Sequence, residues 1–147
     1  MGNAKVLKFV RKHRVLLVED DDLVRRGVTM ALTSNGFIVH AVSDAEEAAK
    51  VIRHKRFHSI ICDYNLPGMN GLDFFWQMKT FTTRSTNILI TAFGVDKISN
   101  SAKAAGIHAF FEKPFTIDSL ISSLNAGGGS PIGSADKKAD RPDHSIL

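Results

Sequence analysis

Asp63 ends the apolar run Ser59-Ile60-Ile61-Cys62, and four other polar residues stand at the ends of comparable runs. Glu19 and Asp20 close Val15-Leu16-Leu17-Val18, and Thr91 closes Ile88-Leu89-Ile90. Lys113 lies just beyond Ala109-Phe110-Phe111, with Pro114 behind it. A carboxylate at the tip of a buried strand is costly unless something pairs with it. A lysine supplies a point charge for that purpose. Three acids brought close together repel, and a hard divalent cation relieves them. A carboxylate so placed can act as a nucleophile and accept a phosphoryl group as an acyl phosphate. In-line phosphoryl transfer needs a charge clamp more than it needs acid–base groups. Each feature alone is weak, since acidic pairs, strand-end Asp and Lys-Pro all occur by chance. Their order, each at a strand end, is what carries weight.

Strand and helix patterns alternate along the chain and decide where those residues go. Strands are expected at about Arg14 to Val18, Phe37 to Val42, Ser59 to Cys62, Asn87 to Thr91 and Ile107 to Phe111. Helices are expected at about Asp22 to Ser34, from a Ser43 or Asp44 cap to near His54, Leu72 to Lys79, Val95 to Ala105, and Ile117 to Asn125. In the first helix Leu23, Val24, Gly27, Val28, Ala31 and Leu32 recur at helical spacing, and Asn35-Gly36 stops it. Five such repeats imply an α/β fold, a parallel sheet with helices on both faces. All strand carboxyl ends of a parallel sheet share one edge, where open α/β sheets place their sites.

That set resembles the receiver domain of two-component response regulators, over Arg14 to about Asn125. The resemblance implies the flavodoxin-like strand order 2-1-3-4-5. It implies that Asp63 takes a phosphoryl group from a phosphohistidine on a sensor histidine kinase or histidine phosphotransfer protein. Mg²⁺ is the implied cofactor, bound directly by Asp20 and Asp63, through water by Glu19, and by the backbone carbonyl of Asn65. Lys113 is expected to face the carboxylate, with a cis Lys113–Pro114 bond as in the family. Thr91 would be the switch residue, with its hydroxyl donating to the phosphoryl group. Phe110 takes the place of the family's switch aromatic, often Tyr, and cannot make a hydroxyl contact. The face formed by the fourth helix, fifth strand and fifth helix would then change and meet an effector, an output domain or a second copy. The fifth helix lacks the basic residues of the salt-bridged dimer seen in one transcription-factor subclass, so a homodimer of that kind is not expected.

Composition sets the remaining bounds. The chain has 147 residues, 44% hydrophobic and 23% charged, which suits one globular domain. No apolar run is long enough to span a bilayer and no secretory signal is read, so no membrane partner is expected. A single cysteine, Cys62, suits a reducing cytoplasm; it should point into the core, opposite to Asp63. The +4 net charge resides in residues 1–13, a basic arm with Lys5, Lys8, Arg11 and Lys12. Arg14 to Asn125 holds twelve basic and twelve acidic side chains, so direct nucleic-acid binding by this domain is not inferred. Residues 126–147 are rich in Gly, Ser, Asp and Lys and read as a flexible tail or linker. Arg25 and Arg26 are either kinase-facing or a solvated helix face, and Trp76 and Met78 read as packing residues. Two rivals remain. One is a receiver-like interaction module without phosphorylation, against which the complete set of site residues argues. The other is an Mg²⁺-dependent phosphatase of the haloacid-dehalogenase type, which wants a second Asp where Asn65 stands.

Overall fold

The computed structural model describes residues 12–92 and 97–127. Most of the basic arm, the expected start of the fourth helix at Val95, and residues 128–147 of the expected tail lie outside the described residues. Five strands alternate with five helices. They are β1 (Arg14–Val18), α1 (Asp22–Ser34), β2 (Ile38–Val42), α2 (Ala45–Ile52), β3 (Ser59–Asp63), α3 (Gly71–Gln77), β4 (Thr86–Thr91), α4 (Ser99–Ala104), β5 (Ala109–Glu112) and α5 (Ile117–Asn125). A 3₁₀ turn, Lys79–Phe81, follows α3. Every strand pairing is parallel, and the order is β2-β1-β3-β4-β5 as expected.

Strand alternation divides the core into two layers. Leu16, Val18, Ile60, Cys62, Leu89 and Phe110 face α2, α3 and α4. Val15, Leu17, Ile61, Ile88, Ile90 and Phe111 face α1 and α5. The strands therefore read as continuous apolar runs, because both faces of this sheet are covered. Each large side chain so buried stabilises the fold by about 1.5–3 kcal/mol before entropy is counted. Phe111 and Phe115 are plain core, and the Cys62 thiol is fully buried on the side away from the Asp63 carboxylate.

Helix ends explain where the observed elements depart from the expected ones. Phe37 is not in β2, because its N–H closes the α1 C-terminus on the Leu32 carbonyl, beyond Gly36 at φ +92°. Ile107 is likewise outside β5; its N–H bonds to the Ala102 carbonyl at the end of α4, beyond Gly106 at φ +87°. Asp44, rather than Ser43, caps α2 by accepting from the Glu47 N–H at 2.7 Å. Helix α3 starts one residue earlier than expected, because Asn70 caps it through the Asp73 N–H. It gives way to the 3₁₀ turn before Lys79.

Candidate functional site

Parallel register brings the strand ends level. Val18 pairs with Cys62, Asp63 with Ile90, and Thr91 with Glu112. Glu19 and Asp20 leave β1 beside the Asp63 tip of β3, and Lys113 leaves β5 beside Thr91. Lys113 Nζ donates to Asp63 Oδ2 at 2.9 Å and lies 3.9 Å from Glu19 Oε1. The other oxygen, Asp63 Oδ1, accepts from the Asn65 N–H at 2.9 Å. Glu19 Oε2 accepts from the Asp21 N–H at 3.0 Å. One carboxylate oxygen from each of Glu19, Asp20 and Asp63 can be chosen so that all lie within 4.8 Å of one another. Glu19 and Asp63 are buried and Asp20 is exposed, so the cluster opens to solvent on the Asp20 side.

The electrostatics follow from that crowding. Burial, reinforced by the hydrogen bond and charge of Asp63, pushes the Glu19 carboxyl up to about 7; the Asp21 N–H and Lys113 oppose the rise. Burial lowers the pKa of Lys113, but the Asp63 hydrogen bond and charge, with Glu19 and Asp21 behind them, outweigh it and leave it raised. Two buried carboxylates and one ammonium leave the pocket one positive charge short, with Asp20 adding a third acid at the rim. Three hard oxygen donors and a charge deficit are what a divalent cation such as Mg²⁺ fits. Burial also raises the Cys62 thiol pKa well above its usual value, so that sulfur is inert at neutral pH.

The surrounding residues hold the carboxylates in place. Arg25 on α1 reaches back to the Glu19 carbonyl at 2.8 Å and the Asp20 carbonyl at 3.4 Å, and pairs with Asp22. Arg25 thus braces the turn that carries the acids, while Arg26 is exposed. Gly71 passes so close to β3 that an added Cβ would lie 2.4 Å from the Asp63 carbonyl oxygen. Its N–H donates to the Tyr64 carbonyl at 2.9 Å, closing the loop that follows Asp63. Neither role was legible from residue spacing. The Gly-Met-Asn-Gly punctuation after Pro67 signalled a loop but not this contact.

Of the residues expected at the site, Glu19, Asp20, Asp63, Asn65, Thr91 and Lys113 lie at the carboxyl edge, while Phe110 pairs with Leu89 inside the sheet. Thr91 is fully buried, and its carbonyl accepts from the Lys113 N–H at 2.8 Å. The Lys113–Pro114 peptide bond is cis. Phe110 is 1% exposed and already packed inside. Asn65 contributes its N–H to Asp63. One expectation fails: Trp76 is not a core residue but is 43% exposed. Its ring lies on the outside of α3, where Nε1 donates to Ser101 Oγ on α4 at 3.4 Å and Lys79 sits 5.4 Å from the ring centroid. Its neighbour in the same expectation, Met78, is buried.

Known proteins resemble this chain in sequence and in fold. The chain is 29% identical over 127 residues to a probable chemotaxis protein CheY of Rhizobium etli, covering 84% of this chain and 98% of that protein. It is 33% identical over 113 residues to the two-component response regulator PhoP of Pseudomonas aeruginosa, covering 77% of this chain but only 50% of that protein. The structure of chemotaxis response regulator CheY4 of Vibrio cholerae superposes with a TM-score of 0.73 at 27% identity, over 80% of this chain and 99% of that one. Among the described residues, no helix is long and apolar enough to cross a membrane. The model of the response regulator receiver domain family matches residues 15–125, the whole span from the first strand to the last helix, and the chain belongs to that family.

Proposed function

We propose that this receiver domain is switched by phosphorylation of Asp63. The observation that carries the reading is the meeting of Glu19, Asp20 and Asp63 within 4.8 Å, with the Lys113 ammonium 2.9 Å from the Asp63 carboxylate. The donor is a phosphohistidine on a sensor histidine kinase or a histidine phosphotransfer protein. An Asp63 carboxylate oxygen attacks phosphorus, the N–P bond of the donor breaks, and the imidazole leaves with the electron pair. Asp20, Asp63 and the Asn65 carbonyl would hold Mg²⁺, with Glu19 reaching it through water, and the ion would supply positive charge for the phosphoryl oxygens. Lys113 neutralises a further oxygen. Thr91 then donates its hydroxyl to the phosphoryl group. The population shifts toward the form in which α4, β5 and α5 present a changed face to an effector, an output domain or a second copy. Phe110 takes the position of the switch aromatic; it is already buried and has no hydroxyl to offer. Residues 14–125 act as the switching unit, in the cytoplasm, with 1–13 as a basic arm and 126–147 as a tail or linker.

The test uses acetyl phosphate, or beryllofluoride with Mg²⁺, on the wild type and on Asp63→Asn. Trp76 is a suitable reporter because its indole bridges α3 to Ser101 on α4. A change in its fluorescence and in amide shifts near Thr91 is expected for the wild type alone. The same response in Asp63→Asn would defeat the assignment.

A further inference from the structure

The opposite edge of the sheet holds a second feature that the phosphoacceptor site does not use. A cavity of about 770 Å³ lies between the segments that enter β1, β3 and β4. Arg14, Arg53, Lys55, Arg56 and Arg84 line it, and among the described residues no acid does. These are five of the twelve Lys and Arg side chains between Arg14 and Asn125. None of the five forms an ion pair among the described residues, where the acid-paired cations are Arg25 and Lys113. Arg53 stands at the C-terminal cap of α2, and the helix dipole accounts for a cation there. It does not account for Arg14, which opens β1, or for Arg56 and Arg84, which precede β3 and β4. Five like charges around one hollow repel one another, and an anion that bridges them removes the cost.

The wall is not only cationic. Phe81, on the 3₁₀ turn, is 49% exposed, with the Arg53 guanidinium 5.8 Å from its ring centroid. Ile52 and Phe57 form a buried apolar floor, and the exposed Thr80 and Thr83 hydroxyls stand at the rim. The volume lies within the range of small-molecule sites, roughly 300–1,000 Å³. Arginine forks match phosphate oxygens two at a time, and an aromatic face beside a guanidinium stacks a planar base.

We infer that this amino-edge cavity binds a nucleoside polyphosphate, with its phosphates among Arg14, Lys55, Arg56 and Arg84 and its base against Phe81. The site lies across the sheet from Asp63 and does not depend on phosphorylation there. The test titrates ATP into the full chain in EDTA, so that no divalent ion recruits it to the acidic cluster, and follows amide shifts. Shifts are expected at residues 53–58 and 80–85. Binding should weaken at least about tenfold in the Arg56→Ala/Arg84→Ala double variant, which removes two phosphate forks. It should also weaken about tenfold in Phe81→Ala, and tripolyphosphate should bind more weakly than ATP by a similar factor. Asp63→Asn should bind ATP like the wild type. The arginine variant, altered only at exposed side chains, should keep the beryllofluoride response. Shifts confined to residues 1–12 would overturn the inference, as would equal binding of ATP and tripolyphosphate. Preference for a single-stranded oligonucleotide over ATP at the same residues would overturn it in favour of a nucleic-acid surface.

Discussion

Glu19→Gln should stabilise the metal-free protein, and only at neutral to alkaline pH. The carboxyl of Glu19 ordinarily titrates at 4.5 and is pushed up to about 7 by burial and by Asp63. The folded state therefore binds a proton at Glu19 more tightly than the unfolded state does. Stability from this group is fully present below 4.5 and is lost as pH rises through about 7. That gap corresponds to about 3 kcal/mol withdrawn from the fold by pH 8. A carboxamide keeps the acceptor for the Asp21 N–H and removes the charge. It forfeits the attraction of Lys113, which is modest at 3.9 Å. The expected gain is about 1–3 kcal/mol at pH 8 and near zero at pH 4.5. Urea unfolding in EDTA at a series of pH values measures it, and groups uncoupled to Glu19 cancel in the difference between the two proteins. Adding Mg²⁺ should erase the advantage, since the wild type alone then gains the full ligand set. A difference that stays constant with pH, or a variant that loses ground as pH rises, would refute the account of the acidic cluster.

Gly71→Ala should destabilise the domain and disturb the Asp63 loop. The new Cβ would meet the Asp63 carbonyl oxygen at 2.4 Å and a Leu89 methyl at 2.9 Å, so β3 or α3 must move. Overpacking of this kind costs about 1–3 kcal/mol, readable as a lower urea midpoint, and an unchanged midpoint would show that the contact is soft. His13 gives a pH effect of the opposite sign to Glu19. Burial first, and then His58, lower its pKa below 6.5 while its Nε2 lies 2.7 Å from Ser59 Oγ. Its contribution is therefore present above 6.5 and lost as pH falls toward the depressed value. His13→Gln should gain stability relative to wild type between pH 7.5 and 5.5, measured by thermal unfolding, and a pH-independent offset would count against the role of the imidazole.

The layers and the site were legible because both depend on features with a short range in sequence. Strand runs ending in a polar residue, such as Ile60-Ile61-Cys62-Asp63, state where a buried element meets solvent, and parallel register then lines those ends up. Element ends were less legible where a residue had two uses. Phe37 and Ile107 are apolar and β-prone, yet each spends its N–H on the preceding helix. Trp76 was misread because size and apolarity suggest burial, while the inward face of α3 is already filled by Phe74, Phe75 and Met78. The bracing by Arg25 and the close passage of Gly71 depend on three-dimensional approach and leave no periodic trace. The cationic cavity was hidden for a different reason. Arg14, Arg53, Lys55, Arg56 and Arg84 come from three separate segments, and the even charge count of the domain concealed their gathering at one edge.

Lys113 also explains how a charge at Asp63 would reach the switch face. Its side chain is tied to the Asp63 carboxylate at 2.9 Å, and its backbone N–H to the Thr91 carbonyl at 2.8 Å. The Tyr64 N–H, next to Asp63, donates to the carbonyl of Ile90, next to Thr91. The end of β4 is therefore held from both sides by the neighbours of the phosphoacceptor. Phosphorylation under the proposed reading replaces a carboxylate oxygen that accepts from lysine with a bulkier, more highly charged group. Lys113 must follow the new charge, and the β4 end it holds is the segment that carries Thr91. Helix α4 is the next described helix in sequence, and Trp76 contacts it through Ser101. The hydrogen bonds from Asp63 through Lys113 to Thr91, and from Trp76 to Ser101 on α4, mark the two ends of the proposed path. Lys113→Met should break it at the first link: phosphorylation of Asp63 would persist while the Trp76 response fades. Retention of the full fluorescence change in that variant, at equal phosphorylation, would place the coupling elsewhere.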